Sequence, residues 1–503
     1  MAAGCILTGC ILNTTGKSKW KFRSHCSGVE MSSQAAAVID YVQLSAQIFV
    51  IPLEPERFIV YAPLRRAAFV ADDHTVDFLA VLRDGFIDRE ADPDGSLIGF
   101  LRQIEIVDGG PEPLPVTVFA GPPKPTTVTL FLTTACNLRC TYCYASAGEI
   151  PLESMSLDVA TRGIDFVAAN ALEKGEACFE IAYHGGGEPT VHWRVLTQSL
   201  EYARRKAAQL GLQARASSAT NGVMTDGQLD WVVRNLDGVS LSFDGSPQAH
   251  DRHRLTVLGQ ASSGRVMHAM RFFDAAGFPY GVRVTVTADE IAALPDSIDF
   301  LCANFHPRRV QVEPVYNLGR WSGAPSAETE LFVAAYRAAQ ERALRSGFEI
   351  GYSAARVGYL TNHFCGVSQD GFALSPAGDV SGCYEVFSRG SPWADVFFYA
   401  RPAGGDAGYR FELPVLNNLR AQAVGGRAFC AGCFAGWTCA GDCYHKSLNV
   451  GGRGEFAGSD RCHITRELTK DQILAKIAAA GGLFWHEGSV GPAGHTAGKE
   501  FLS

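Results

Sequence analysis

The sequence has no run of about 20 apolar residues, so no stretch of it can cross a bilayer as a helix. It has no basic excess either. Lys and Arg number 44 against 52 Asp and Glu, a formal charge of −8. That balance argues against nucleic acid or an acidic membrane surface as a partner. No convincing export signal is present. ILTGC, ending at Cys10, matches a lipoprotein cleavage box, but no Lys or Arg precedes it and its apolar run is short. A start at Met31 would remove Cys5, Cys10 and Cys26 altogether, and these three are given no role. In the absence of a convincing export signal, the clustered cysteines are read as metal or cluster ligands of a cytoplasmic protein rather than as a disulfide framework.

What is present is a chain of 503 residues with 15 cysteines, 47% hydrophobic and 19% charged. The length exceeds one ordinary core and predicts a large barrel with smaller attached domains. Residues 1–38 read as a disordered or mis-started extension. Over 39–115, AQIFVIPL, RFIVYAPL and AAFVAD predict three strands, and VDFLAVLRDGF a helix, which make a small α+β domain. GGPEPLPVTVFAGPPKPTT is rich in Pro and Gly and gives a linker, set at 116–127. From 128 to 348 strands and helices alternate. Strand runs fall at 128–134, 179–184, 214–220, 239–244, 280–287 and 308–315, and helical stretches at 157–173, 191–209, 225–235, 264–276, 288–305 and 326–346. Six such units predict a parallel sheet curled into a partial (β/α)6 barrel. From 349 to 480 glycines, turns and cysteines dominate, and 481–503 reads as a flexible tail.

CNLRCTYC follows the first barrel strand and offers Cys136, Cys140 and Cys143. Barrel chemistry sits at the C-terminal ends of the strands, and thiolates suit iron–sulfur clusters, zinc or Cu(I). A [4Fe–4S] unit takes four cysteines. With three, one iron is left open to a substrate. The other reading is a structural zinc loop with a remote fourth ligand. Further polar segments close the next strands: GGGEP (Gly185–Pro189), TNG (Thr220–Gly222) and SFDG (Ser242–Gly245), followed by HDRHR (His250–Arg254).

The Cys136-x3-Cys140-x-Tyr142-Cys143 pattern resembles that of the radical S-adenosylmethionine (SAM) enzymes. The resemblance implies a TIM-like partial barrel whose [4Fe–4S] cluster leaves one iron for the amino and carboxylate groups of SAM. It further implies reductive cleavage of SAM to methionine and a 5′-deoxyadenosyl radical, which abstracts hydrogen from a substrate. GGGEP looks like the family's element that holds the SAM amino group, through Gly186, Gly187 and Glu188. Tyr142, Asn221 and Ser242 are the other SAM contacts the likeness suggests, and His250 and Asp251 are read as pinning their loop.

The later cysteines are Cys365, Cys383, Cys430, Cys433, Cys439, Cys443 and Cys462. Their spacing resembles the SPASM extension of radical SAM enzymes, which carries two auxiliary clusters. The likeness implies Cys430, Cys433, Cys439 and Cys462 for auxiliary II. It implies Cys365, Cys383 and Cys443 for auxiliary I, with an open iron or a non-cysteine ligand such as Asp370 or Asp379. Cofactors would be three iron–sulfur clusters and SAM. A pair of zinc sites is the competing reading. His445 and His463 are taken as surface histidines, and Cys178 and Cys302 as small core residues.

Most relatives of this type modify a ribosomally made precursor peptide or a protein side chain, with flavodoxin or ferredoxin as the usual electron donor. The expected function is therefore an oxidative cross-link or related peptide modification. An anaerobic sulfatase maturase is the nearest alternative. Its base is an aspartate directly after the Gly-x4-Cys cysteine, where this chain has Tyr384 and then Glu385. Those two are the candidates for proton work, or else sit in a surface turn. A non-catalytic iron–sulfur or zinc peptide-binding scaffold is the third reading. The 39–115 domain is read either as a leader-peptide binder acting by strand addition or as a cap.

Overall fold

Short alternating runs build one sheet and long, one-sided apolar runs build another. The structure is a computed structural model that describes residues 42–487 except 84, 86, 88, 89, 91, 325–327 and 405–407. The extension read over 1–38, with Cys5, Cys10 and Cys26, and the tail beyond 487 lie outside the described residues. The described chain divides into two units. The smaller takes residues 42–115, 430–437 and 470–487, and the larger 116–429 and 438–469.

In the smaller unit β1 (Phe49–Glu54), β2 (Arg57–Ala62) and β3 (Ala67–Ala71) form an antiparallel meander. Asp72 then caps α1 (Asp73–Leu82), its carboxylate accepting from the Thr75 amide at 2.9 Å. Phe78, Leu79 and Leu82, with Ile98 and Leu101 of α2 (Ser96–Gln103), form a core with Val60 and Phe69 of the sheet. A fourth strand, Phe484–His486, pairs antiparallel with β3, within the segment read as tail. Three residues are too few for any sequence period to announce them.

The larger unit runs β4 (Thr127–Phe131), α3 (Leu157–Lys174), β5 (Cys178–His184), α4 (Trp193–Leu210), β6 (Gln213–Thr220), α5 (Asp226–Asn235), β7 (Gly238–Ser242), α6 (Pro247–His253), α7 (Ser263–Ala276), β8 (Tyr280–Val286), α8 (Leu294–Asn304), β9 (Arg309–Pro314) and α9 (Thr329–Arg345). All six strands are parallel and neighbour one another in chain order, as the alternation predicts. The strands have unlike faces. On β8, Val282, Val284 and Val286 are buried in the core that also contains residues of α7 and α8, while Gly281, Arg283 and Thr285 alternate with them on the other face.

The sheet does not stop at six strands. β10 (Ile350–Gly351) adds beside β9, and β11 (Ala373–Leu374) adds parallel to β4. From there β12 (Val380–Ser381), β13 (Phe398–Pro402) and β14 (Tyr409–Phe411) run antiparallel outward, giving 11 strands. The cysteine-rich segment therefore continues the barrel sheet across its β4 edge and covers that edge's open hydrogen-bonding groups. Among the described residues no helix is long and apolar enough to cross a membrane.

Phe179 of β5 is fully enclosed. Phe179→Ala is expected to lower stability by about 3–5 kcal/mol, seen as an earlier denaturant midpoint. Leu258→Ala, at a side chain 79% exposed, serves as the comparison and should move the midpoint little.

Candidate functional site

The loop carrying Cys136, Cys140 and Cys143 leaves the C-terminal end of β4 and is fastened on several sides. The amides of Arg139 and Thr141 donate to the carbonyls of Leu255 (2.7 Å) and His253 (2.9 Å). The Thr141 hydroxyl and His253 Nδ1 lie 2.8 Å apart. Arg320 donates to the carbonyls of Cys140 and Ala147, both at 2.6 Å. Beneath the loop is a buried network. The Tyr142 hydroxyl donates to Asp244, and Arg254 holds the same carboxylate through Nε (2.9 Å) and Nη2 (3.1 Å). The Thr285 amide of β8 donates to it as well, at 3.1 Å. The guanidinium of Arg254 stands 5.1 Å from the Tyr142 ring centre.

The Cys136 and Cys140 thiols share one desolvated place. Burial, followed by the Glu188 charge, pushes Cys136 up to about 12. Burial raises Cys140 to about 11 against the pull of Arg254, and Cys143 adds to the rise. Such thiols ionise at neutral pH only beside a cation, which an iron–sulfur cluster supplies. The Cys136 sulfur accepts from the Leu138 amide at 3.4 Å and from Asn221 Nδ2 at 3.7 Å, the kind of donor that tunes a cluster thiolate. None of the described cysteines is in a disulfide. The donor set fits a cluster.

The neighbouring strand ends close around this loop. A Cβ on Gly187 would stand 2.1 Å from the Ala135 carbonyl oxygen, and one on Gly186 would stand 2.3 Å from ring carbons of Phe387. A side chain at either position would force the Ala135 backbone or the Phe387 ring to move. Glu188 is buried and accepts four hydrogen bonds: from Thr190 N (3.2 Å) and Oγ1 (2.8 Å), Thr220 Oγ1 (2.8 Å) and Asn221 N (2.7 Å). Its carboxylate thus ties the GGGEP turn to the end of β6. Asn221 donates to Asn137 Oδ1 at 2.7 Å. Ser242, half-buried at the end of β7, has a hydroxyl with no hydrogen-bond partner among the described residues. Asp251 accepts from the amides of Ser262 (2.9 Å) and Ser263 (2.8 Å), where α7 begins.

Residues 130–300 match the family model described as the Radical SAM superfamily. The chain carries a radical SAM domain. Over 132 residues it is 37% identical to GTP 3′,8-cyclase of Chlorobaculum tepidum, covering 26% of this chain and 35% of that protein. It is 25% identical over 156 residues to the cysteine-type anaerobic sulfatase-maturating enzyme of Clostridium perfringens, covering 31% of this chain and 42% of that one. The chain thus spans less than half the length of either relative. Among solved structures, native anSMEcpe with bound AdoMet superposes with a TM-score of 0.56 at 16% identity, over 71% of this chain and 100% of that one. This last likeness is one of fold.

Beyond the radical SAM domain the other cysteines separate. Cys365, Cys383 and Cys443 lie in the larger unit, and burial raises all three thiols. Cys383 also feels Cys443 and Cys365, and Cys443 feels Cys365, so the three form one group. Cys430 and Cys433 belong to the smaller unit, Cys439 and Cys462 to the larger. The acidic residues suggested beside Cys365 and Cys383 are already paired. Asp370 is bidentate to Arg420 at 2.7 Å, and Asp379 faces Arg389 at 3.2 Å. Instead, ligand atoms of Cys383, Glu385 and His445 lie within 4.8 Å of one another.

His445 is thus no surface residue. It is buried, its ring 5.5 Å from that of Phe397 and its Nδ1 2.6 Å from Glu385 Oε2. Burial disfavours the Glu385 charge, but Lys446 and the His445 hydrogen bond overcome it and hold the carboxyl at about 2. Tyr384 is half-buried beside His184, with ring centres 5.4 Å apart. Sequence reasoning held Asp244 and Arg254 only as members of the SFDG and HDRHR strings, without their pairing, and missed Lys446. The HDRHR string names Arg254, but nothing local reveals that its partner lies ten positions earlier.

Asp244→Asn leaves Arg254 buried against a neutral amide and is expected to cost about 3–5 kcal/mol, measured by chemical denaturation. Gly187→Ala should keep the fold while lowering the iron taken up on reconstitution, because the Ala135 backbone before Cys136 must move.

Proposed function

We propose that this radical SAM protein is a peptide or protein maturase with SPASM-type auxiliary clusters. The observation that carries the proposal is the desolvated Cys136–Cys140–Cys143 loop, fastened at the end of β4 beside a free Ser242 hydroxyl and the close-packed GGGEP turn. When bound, a [4Fe–4S] cluster with SAM supplies one electron that cleaves the sulfonium to methionine and a 5′-deoxyadenosyl radical. The chain's residues do the rest. Cys136, Cys140 and Cys143 would hold three of the cluster's irons. The Leu138 amide and Asn221 hydrogen-bond the Cys136 sulfur. Gly186 and Gly187 let backbone approach the SAM amino group, with Glu188 fixing the shape of that turn, and Ser242 and the Tyr142 segment line the remainder.

Cys365, Cys383 and Cys443 would hold auxiliary I, with Glu385 as the nearest fourth donor. Cys430, Cys433, Cys439 and Cys462 would hold auxiliary II. Such clusters would supply an acceptor for the electron released when a substrate radical becomes product. A flavodoxin or ferredoxin is the proposed source of the first electron. The sulfatase-maturase reading is weakened by Tyr384 at the position of that family's aspartate, and the low carboxyl of Glu385 next to it makes that residue a weak proton acceptor.

Iron and sulfide content tests the class. Anaerobically reconstituted protein should hold about twelve irons, as three [4Fe–4S] units require. The Cys136→Ala/Cys140→Ala/Cys143→Ala variant should lose about four, together with 5′-deoxyadenosine formation. Zinc in place of iron, or no loss in the variant, contradicts the proposal. For auxiliary I, Glu385→Gln should open an iron to added cyanide and shift that cluster's paramagnetic resonance, whereas Asp379→Asn should leave the spectrum unchanged.

A further inference from the structure

A buried guanidinium is costly unless an anion and hydrogen-bond acceptors meet it. Among the described residues of the larger unit three arginines are less than a tenth exposed: Arg254 at 7%, Arg427 at 6% and Arg461 at 4%. Arg254 has Asp244 at 2.9 Å, and Arg461 has Asp442 at 2.7 Å. Arg427 makes no ion pair with any described residue. Its Nη1 donates to the Gly441 carbonyl and, at 3.3 Å, to the Ser447 hydroxyl. Its Nε and Nη2 are buried and have no hydrogen-bond partner among the described residues. Arg356 shows the contrast. It is half-buried, and its Nε, Nη1 and Nη2 all reach carbonyls, those of Thr438 (3.1 Å), Phe364 (3.3 Å) and Cys439 (3.4 Å).

The groups packed on the Arg427 guanidinium belong to cysteine-bearing segments. Gly441 lies midway between Cys439 and Cys443. A Cβ on Gly441 would stand 3.3 Å from Arg427 Cδ and 3.5 Å from its Nε, so the side chain lies against the bare face of that turn. The Ser447 hydroxyl in turn donates to the Cys443 carbonyl at 2.9 Å. The guanidinium carbon stands 5.0 Å from the ring centre of Phe456 and 5.7 Å from that of Tyr444. Phe456 meets Phe429, the residue before Cys430, with ring centres 5.5 Å apart. Ring faces attract the charge but accept none of the in-plane N–H groups. Asp442, next to Gly441, is taken by Arg461 through Nε at 2.7 and 2.9 Å. The chain thus buries one positive charge and two donors on the Cys439–Cys443 turn, and its own acids leave them unmet.

We propose that Arg427 gives its Nε and Nη2 hydrogens to sulfur of the auxiliary II cluster, whose negative charge takes the place of the missing carboxylate. The inference rests on the auxiliary-cluster reading above and adds to that cluster a residue beyond its four cysteines. Phe456 and Phe429 lead to Cys462 and Cys430, which favours auxiliary II over auxiliary I. Hydrogen bonds to sulfur and nearby charge set a cluster's potential. A guanidinium stabilises the more negative, reduced state. Arg427 therefore raises the potential of auxiliary II and makes it the readier electron acceptor.

The test is a redox titration of the anaerobically reconstituted full chain, followed by electron paramagnetic resonance. One cluster signal should be absent from the Cys439→Ala/Cys462→Ala variant, which marks it as auxiliary II. In Arg427→Gln the reduced-to-oxidised ratio of that signal, read at the parent's midpoint, should fall about tenfold, the scale of one charge-assisted hydrogen bond. That is a shift of about 59 mV for one electron, toward lower potential. Arg427→Lys should keep part of the parent's value, with iron content and circular dichroism reporting that each variant is loaded and folded. A second measurement needs no loaded Gln variant. Parent protein grown with nitrogen-15 arginine should show a nitrogen coupling on the auxiliary II signal in pulsed resonance, and Arg427→Lys should lose it. An unchanged midpoint in Arg427→Gln overturns the inference, as does a labelled parent without coupling or a coupling that survives in Arg427→Lys. A shift confined to a signal that persists without Cys439 and Cys462 overturns the assignment to auxiliary II. A parent holding about four irons rather than about twelve overturns the auxiliary-cluster reading itself, and the inference with it.

Discussion

Asp244 and Arg254 form a buried ion pair, 4% and 7% exposed, under the first cysteine loop. Burying two charges is costly unless each remaining donor and acceptor is met. Here Tyr142 and the Thr285 amide complete the carboxylate, and the guanidinium also stands over the Tyr142 ring. The pair is therefore a constraint as much as a stabilising contact. It fixes Tyr142, and with it Cys140 and Cys143 on either side, against the ends of β7 and β8. His253, one residue before Arg254, fastens Thr141 from the same side. The network thereby holds the loop of the three cysteines in one shape.

The sheet carries the rest of the logic. Its convex face is apolar and packs on the helices, which gives the larger unit its stability. Its other face holds Ser240, Ser242, Gly281, Arg283 and Gln311, which are small or polar. The strand ends deliver the site residues at successive positions: Cys136 after β4, GGGEP after β5, Asn221 after β6 and Ser242 at the end of β7. The strands β11 and β12 then bring Cys383, Tyr384 and Glu385 round to the β4 edge, with Tyr384 beside His184.

Much of this was legible in the residues. The six strands and their helices follow from the period of apolar residues, and the structure moves their ends by only a few positions. The cysteine spacings marked the loops that the proposal takes as cluster ligands. What escaped was long-range partnering. Two-residue strands such as β11 and β12 have no period to read. Asp370 and Asp379 look like available ligands until Arg420 and Arg389 are seen against them. His445 looks like a surface histidine until Glu385, 60 positions away, is found bonded to it. Each of these pairings is decided by packing rather than by local pattern.

The most direct test of the account is the electron paramagnetic resonance spectrum of the reduced, reconstituted protein before and after SAM is added. If the Cys136–Cys140–Cys143 loop leaves one iron open to SAM, part of the signal should shift on addition, and that shift should be absent from the variant lacking the three cysteines. A spectrum indifferent to SAM, or a shift that survives loss of the three cysteines, would contradict the central claim that this loop is the SAM-binding centre.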